Sequence, residues 1–182
     1  MTNSDPIAAL STVDPKKISK EEFVSLLSAA SDVATSGESV DLSSIDPQAF
    51  ARLISRASKD QIDAVMARPE LRVRVLDEVF RRMEVHFKAE KAGAAKAVVH
   101  WRIQSGEEYE RYETVIADGA CSVNKDNGAE PRVTVTLSPA EFLKLASGNG
   151  SAPVMFMTGK IKVKGDLGFA AGLSNLFSIP KA

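Results

Sequence analysis

Apolar residues recur every three or four positions through the first half of the chain, and this spacing predicts amphipathic helices that each bury one face. Capping patterns mark the starts of three helices, at Ser19–Glu22, Asp46–Pro47 and Ser58–Gln61. Pro69 is expected to begin a longer helix. The apolar stripe of that helix is Leu76, Val79, Phe80, Met83 and Phe87. Residues 31–44, rich in Ser, Thr, Gly and Asp, predict a flexible joint.

At Ala94 the helical spacing gives way to alternation, which is typical of half-buried strands and places Trp101 on a buried face. Strands are predicted at 99–104, 109–117, 120–124, 132–137 and 160–164. Asp118-Gly119 is a hairpin signal. A short helix separates the last two strands, and a final helix begins at Asp166. Hairpins followed by strand, helix and strand predict an α+β fold with helices on one face of the sheet.

Composition narrows the choice of function. The chain has 182 residues, 44% of them hydrophobic and 26% charged, which is typical of a soluble globular protein. Its net charge of -1 provides no bulk attraction to nucleic acid, so we expect no nucleic-acid partner. The single cysteine, Cys121, excludes an intrachain disulfide. With two histidines in different elements, we expect no metal site and no cofactor.

Targeting signals are equally sparse. The first ten residues lack the basic start and apolar core of a signal peptide. No run approaches the roughly 20 apolar residues of a membrane helix, and the last three residues are not a Ser-Lys-Leu peroxisomal address. A cytoplasmic location is therefore expected.

The segment from residue 130 to 178 carries a specific pattern: a Phe, a Gly-Lys pair leading an alternating strand, and Gly-Asp-apolar-Gly before an apolar helix. The matching positions are Phe156, Gly159, Lys160, Gly165, Asp166 and Gly168. This pattern resembles the sterol carrier protein type 2 family. Ser151-Ala152-Pro153 departs from the usual Asn-Pro, and Gly172 and Ser174 replace a usual Lys or Gln, which leaves the ligand's identity open.

The resemblance implies a five-stranded mixed, mostly antiparallel sheet, covered by helices and enclosing an apolar tunnel for fatty acids, acyl-CoA or sterol-like lipids. We therefore expect a lipid-binding domain at 59–182. The resemblance says little about residues 1–58, where the helical spacing and the predicted joint indicate a partly flexible helical extension. The candidate lipid-binding residues are Phe80, Met83, Phe87, Trp101, Ile103, Val135, Phe142, Met155, Met157, Ile161, Val163, Phe169, Leu173, Leu176 and Phe177.

Each candidate has a structural alternative. Met83, Met155 and Met157 have flexible thioethers that suit varied ligands, but they could equally fill an ordinary core. Trp101 is either a structural anchor or a ligand contact. Three alternating lysines, from Lys160 to Lys164, are interpreted as a solvated strand face. A contact with an acyl-CoA phosphate or, transiently, with an anionic membrane is the alternative for them.

No nucleophile motif or paired-carboxylate constellation is present, so no catalytic residue is predicted and the chain is not expected to be an enzyme. The leading hypothesis is an intracellular carrier that binds a hydrophobic small molecule and delivers it. The second is an accessory or docking subunit of a lipid-metabolising enzyme, with the N-terminal helices contacting the enzyme partner. The third is a small enzyme, such as a cyclase or isomerase, acting on a lipophilic substrate.

Overall fold

The computed structural model describes residues 6–32, 45–105, 107–125, 128–146, 151–172 and residue 176. Contacts between Cα atoms divide these residues into two compact units. One comprises the described residues up to Val79 and the other those from Phe80 onward. The first unit is helical, and the second contains the sheet.

The first unit consists of helices, three of which begin where a capping side chain accepts a free backbone N–H group. The helices are α1 (Pro6–Thr12), α2 (Lys20–Asp32), α3 (Pro47–Arg56), α4 (Lys59–Met66) and the first part of α5 (Pro69–Val85), with a 3₁₀ turn at Pro15–Lys17. The predicted capping box at α4 is present: Ser58 Oγ accepts the Gln61 N–H at 3.1 Å, and Gln61 Oε1 accepts the Ser58 N–H at 2.8 Å. The predicted caps at Ser19 and Asp46 are confirmed as well.

The apolar faces of these helices form a core of their own. Its buried members include Leu10, Phe23, Leu27, Phe50, Leu53, Ile62, Val65 and Met66. The buried Gln61 amide donates hydrogen bonds to the carbonyl oxygens of Pro15, at 2.8 Å, and Ile18, at 3.1 Å. Because these bonds tie α4 to residues before α2, the predicted domain boundary between residues 58 and 59 falls inside this unit. The boundary stays a prediction.

The second unit is an α+β layer structure. Its elements after α5 are α6 (Ala89–Ala92), β1 (Ala97–Ser105), β2 (Glu108–Ala117), β3 (Ala120–Asn124), β4 (Val133–Leu137), α7 (Pro139–Ala146), α8 (Ala152–Met157), β5 (Ile161–Gly165) and α9 (Leu167–Gly172). The five strands lie in the order β3-β2-β1-β4-β5. The β1–β4 pair is parallel and the other pairs are antiparallel. The predicted five-stranded mixed, mostly antiparallel sheet is confirmed.

One face of the sheet is buried along a row of paired residues. Trp101 on β1 lies opposite Tyr112 on β2 and Val135 on β4, and Val135 lies opposite Val163 on β5. Directly paired residues share a face, so this row crosses four of the strands on one side. The β2–β3 hairpin turns through Asp118 (φ 53°) and Gly119 (φ 73°), as the Asp-Gly signal predicts for a type I′ turn.

Two local expectations need amendment, and a third lies largely outside the described residues. The sequence pattern predicts no element at residues 151–159, yet α8 lies there, with Ser151 as its N-cap and Pro153 in its first turn. The apolar stripe predicts a helix that includes Phe87, but α5 ends at Val85 and the Lys88 N–H instead donates to the Leu176 carbonyl at 2.6 Å. The final helix is described only as α9. Leu173 and Phe177 lie outside the described residues, as does most of the predicted 31–44 joint.

Candidate functional site

An aromatic cluster underlies the candidate site. The Phe80 ring, on α5, stacks on Tyr112 with centroids 4.1 Å apart and on Phe142 at 4.8 Å, and it meets the Trp101 ring edge-on at 5.9 Å. Such pairs contribute about 0.5–1.5 kcal/mol beyond their burial. The cluster fixes α5 and α7 on the buried face of the sheet and holds Trp101 in one orientation.

The polar atom of Trp101 is satisfied within the sheet. Its indole N–H donates to Thr114 Oγ1 at 2.9 Å, and both residues are buried. A buried N–H without a partner would cost about 1–3 kcal/mol. Because Thr114 accepts this bond, Trp101 presents only its hydrocarbon edge and ring face to whatever lies beside it.

A cavity of about 270 Å³ lies next to this cluster, within the second unit. The lining residues come from α5, β1, β4, β5 and the three helices α7, α8 and α9. They are Met83, Trp101, Val135, Phe142, Leu145, Ala146, Ala152, Pro153, Phe156, Met157, Ile161, Val163, Leu167, Ala170 and Ala171. No side chain among them carries a charge, and the N–H of Trp101 is already bonded. The site can therefore hold apolar groups by burial but has no charged group for a polar one.

The cavity opens to the surface beside α8. Three of its lining side chains are also exposed: Phe156 by 47%, Met157 by 84% and Leu167 by 54%. Large apolar side chains at the rim of an apolar cavity suit a mouth through which an apolar ligand passes.

The wall formed by α9 is anchored at its first turn. Asp166 Oδ1 accepts the Phe169 N–H at 2.9 Å, and its Oδ2 accepts a bond from Arg132 Nε at 3.0 Å. These bonds, the Phe169 N–H first, hold the pKa of the Asp166 carboxyl below its usual value. The Arg132 guanidinium also lies over the Phe169 ring, 4.5 Å from its centroid. The anchor sets the position of Leu167, Ala170 and Ala171 at the cavity.

The structure brings about half of the predicted lining residues to the cavity. Those that line it are Met83, Trp101, Val135, Phe142, Met157, Ile161 and Val163. The residues that are buried elsewhere in the second unit are Phe80, Ile103, Met155 and Leu176. Phe87 and Phe169 are half-buried outside the lining. For all of these residues, whether they line the cavity or not, a part in lipid binding stays a prediction.

The remaining lining residues are not among those predicted to bind lipid. They are Leu145, Ala146, Ala152, Pro153, Phe156, Leu167, Ala170 and Ala171. Phe156 was noted only as part of the family pattern. Alanine carries little hydrophobic signal and fits any helix, so its place at a cavity shows only once the helices are assembled. The absence of charge from α8 and from α9 was the available clue.

His100, Glu113 and Cys121 are titratable groups of the second unit that do not line the cavity. His100 Nε2 and Glu113 Oε2 are 3.0 Å apart, with the Glu113 side chain fully buried. Alternation along β1 and β2 places this pair on the face opposite Trp101 and Tyr112. Burial, with the Glu84 carboxylate nearby, raises the pKa of the Cys121 thiol to about 12, which keeps it protonated and unreactive. Within the described ranges, no group of three or more His, Cys, Asp or Glu side chains could hold a metal ion.

None of the helices in the described ranges is both long and apolar enough to cross a bilayer.

Comparison with known proteins gives a family match. The model of the SCP-2 sterol transfer family matches residues 76–178, more than half of the chain. This is the family that the pattern around Gly159 and Gly168 indicated. A fatty acid-binding protein of Yarrowia lipolytica is 32% identical over 92 residues, covering 49% of this chain and 71% of that protein.

Two longer proteins are also similar. Hydroxysteroid dehydrogenase-like protein 2 of Xenopus laevis is 25% identical over 122 residues, covering 66% of this chain but only 28% of the frog protein. A stereoselective inverting sec-alkylsulfatase from Pseudomonas sp. superposes with a TM-score of 0.52 and 13% identity, covering 94% of this chain and 30% of that one. The second likeness is one of fold. This chain thus spans about a third or less of either longer protein.

Proposed function

Because the chain belongs to the SCP-2 sterol transfer family, we propose that its cavity binds the apolar part of a lipid and that the protein carries this lipid to an acceptor. The observation that carries the proposal is the lining itself: an opening of about 270 Å³ walled by uncharged, apolar side chains. Apolar area removed from water contributes about 25 cal/mol per Å². Binding therefore needs no specific polar contact.

The volume favours a flexible alkyl chain as occupant. It exceeds the roughly 150 Å³ of an apolar cavity that admits benzene but lies just under the roughly 300 Å³ where pockets for drug-sized ligands begin. An acyl chain can thread such a space in segments, whereas a rigid sterol nucleus needs the cavity to widen. The relative from Yarrowia lipolytica, named as a fatty acid-binding protein, supports the same class of ligand.

The lining also predicts where the polar end of the ligand lies. A carboxylate inside the cavity would have no counter-ion among the described lining residues, and burying it unpaired would cost several kcal/mol. The head group therefore stays at the mouth near Phe156 and Met157. Fatty acids, their alcohols and their esters should bind with similar affinity, on the micromolar scale of about -8 kcal/mol.

Trp101 provides a direct test, because it is the chain's single tryptophan and it lines the cavity. Fatty acids brominated at different carbons should quench its fluorescence saturably, with mid-chain bromine more effective than bromine near the carboxyl. Unlabelled fatty acid should relieve the quenching, and a sterol should do so less well. Absence of saturable quenching by any chain would overturn the proposal.

A second function is favoured by the span of the relatives. The fold recurs as about a third of a sulfatase chain, and the sequence matches 28% of a dehydrogenase-like protein. Such a module could present lipid to a catalytic partner, in the way the accessory-subunit hypothesis predicts. Affinity purification with a lipid-metabolising enzyme that survives salt washing would support this function. The third hypothesis, a small enzyme, would require turnover of a bound lipid that is lost on mutating a titratable side chain.

A further inference from the structure

The cavity runs from an exposed mouth to a buried inner end. Its mouth includes the exposed side chains of Phe156, Met157 and Leu167. The most buried side chain of the lining is that of Phe142, at 1% exposure, and the next is that of Trp101, at 4%. Burial therefore orders the lining residues along the cavity. An apolar ligand that enters beside α8 ends its path at the two rings, where α7 packs on β1.

The inner end is closed by aromatic rings that are fixed in place. The rings of Trp101 and Phe142 meet edge-on, with centroids 5.7 Å apart. Behind them lies Phe80, which is 1% exposed, contacts both rings and does not line the cavity. Phe80 in turn stacks on Tyr112, and the indole N–H of Trp101 is bonded to Thr114. A chain that reaches these rings would have to disrupt a packed core and a buried hydrogen bond to go further.

The volume of the cavity determines how many carbons fit before that end is reached. A cavity of about 150 Å³ admits benzene, so about 25 Å³ of such volume corresponds to one carbon atom. On this scale, the 270 Å³ of the cavity holds about eleven carbons. Each methylene group that leaves water strengthens binding by a factor of about four, but only while room remains for it. Further carbons would lie at the mouth, in partial contact with Phe156 and Met157, and would contribute less.

We propose that the cavity limits the chain length of its ligand: it takes an alkyl chain methyl end first, holds about eleven of its carbons and stops it at the rings of Trp101 and Phe142. The methyl end leads because the uncharged lining leaves the head group at the mouth. Phe142 is then a specificity-determining residue, since its ring forms the α7 side of the inner end. The inference rests on the proposed function, because it names the chain length that the carrier selects.

Two substitutions on α7 should move this limit in opposite directions. Phe142→Ala removes the ring and should lengthen the accepted chain by about four carbons, since the walls collapse partly into the space. Ala146→Leu should shorten it by about three carbons, because Ala146 also lines the cavity and lies one helical turn from Phe142 on the same face of α7. The matched control is Phe23→Ala, at a residue that is 2% exposed in the first unit and does not line the cavity. It should leave the limit unchanged.

The measurement is the displacement of a fluorescent fatty acid from the full-length protein by straight-chain primary alcohols. Alcohols carry no charge, so the length of the chain is the one property that changes along the series. For the parent, Kd should fall about fourfold per added carbon up to about eleven carbons, and less than about twofold per carbon beyond that. Circular dichroism checks that each variant is folded. If Phe142→Ala does not fold, Ala146→Leu decides the question, since it fills open space and removes no contact.

The possible failures are distinguishable. A steady fourfold gain through the longest alcohol would overturn the limit, and a limit that either folded α7 variant leaves in place would overturn its assignment to the inner end. In both cases the protein still binds lipid, so the proposed function stands. Binding of no chain at all would overturn the proposed function and this inference with it.

Discussion

Val163→Asp introduces a single carboxylate into the wall of the cavity and provides the sharpest test of an apolar site. Val163 is half-buried on β5, pairs with Val135 and lines the cavity. Before ligand arrives, the cavity is open to water and the new carboxyl should titrate near the ordinary aspartate pKa of about 3.9. An entering alkyl chain expels that water, so the charged form is penalised and the pKa of the carboxyl rises in the complex.

The size of the effect follows from that linkage. The complex can avoid a buried charge by protonating the new carboxyl. At pH 7 this costs about 1.4 kcal/mol for each of the roughly three units that separate the pH from the pKa of the free protein, or about 4 kcal/mol in all. The affinity should therefore fall by up to about a thousandfold at pH 7. Binding consumes a proton, so lowering the pH should restore the affinity by as much as tenfold per unit, until about pH 4.

A long-chain alcohol is the appropriate ligand for this experiment, because it has no ionisable group whose titration would mimic the effect. Isothermal titration calorimetry from pH 4 to 7 should give a steep profile for Val163→Asp and flat ones for the parent and for Val163→Asn. The asparagine variant controls for shape and polarity, and circular dichroism checks that each variant is folded. If the aspartate variant binds as tightly as the asparagine variant with no pH dependence, the alkyl chain does not occupy this cavity.

Three further predictions concern the stability of the fold around the cavity and the position of the domain boundary. Gly165→Ala should lower the free energy of unfolding in urea by about 2 kcal/mol, because Gly165 has φ +109° and an added Cβ would lie 2.4 Å from the Arg132 carbonyl oxygen. The control Gly168→Ala should cost much less, since the atom nearest to an added Cβ there is 3.4 Å away. Asp166→Asn should make the melting temperature fall less steeply at acid pH, because a carboxyl with a lowered pKa stabilises the fold above its ordinary pKa and loses this contribution as the pH falls through its pKa in the folded protein. Thermal melts that show the same acid dependence for the parent and the variant would contradict this. A fragment beginning at Lys59 should keep the β-sheet and bind lipid but melt at a lower temperature, because Gln61 loses both carbonyl partners; a fragment that only aggregates would place the domain boundary elsewhere.

The strands and the capped helices were predictable because their signals are local. Alternation around Trp101 and the Asp118-Gly119 turn depend on the side chains of a few neighbouring residues, as does the Ser58 capping box, and all of them appear in the structure. The end of α5 was not predictable, because the bond from the Lys88 N–H to the Leu176 carbonyl joins residues far apart in sequence. Helix α8 was not predicted, because its six residues are too few to show a helical period.

The candidate site was predictable where large apolar residues face inward and unpredictable where small ones do. Phe80 and Phe142 carry equally strong hydrophobic signals, yet Phe142 lines the cavity and Phe80 packs beneath it. Nothing in the spacing distinguishes a side chain that faces a cavity from one that faces a neighbour. The distinction arises only when α7, α8 and α9 are placed around the sheet.

The small residues explain why a cavity exists at all. Ala146, Ala152, Ala170 and Ala171 occupy positions on three helices where larger side chains would fill the space. An empty apolar cavity costs about 24 cal/mol per Å³ in a protein core, so a closed cavity of 270 Å³ would cost about 6.5 kcal/mol. This value is an upper limit here, because the cavity is open at its mouth. That is comparable with the whole stability of a typical domain, about 5–15 kcal/mol. A lipid chain that fills the space restores the missing contacts, so the same alanines that weaken the empty protein make ligand binding favourable.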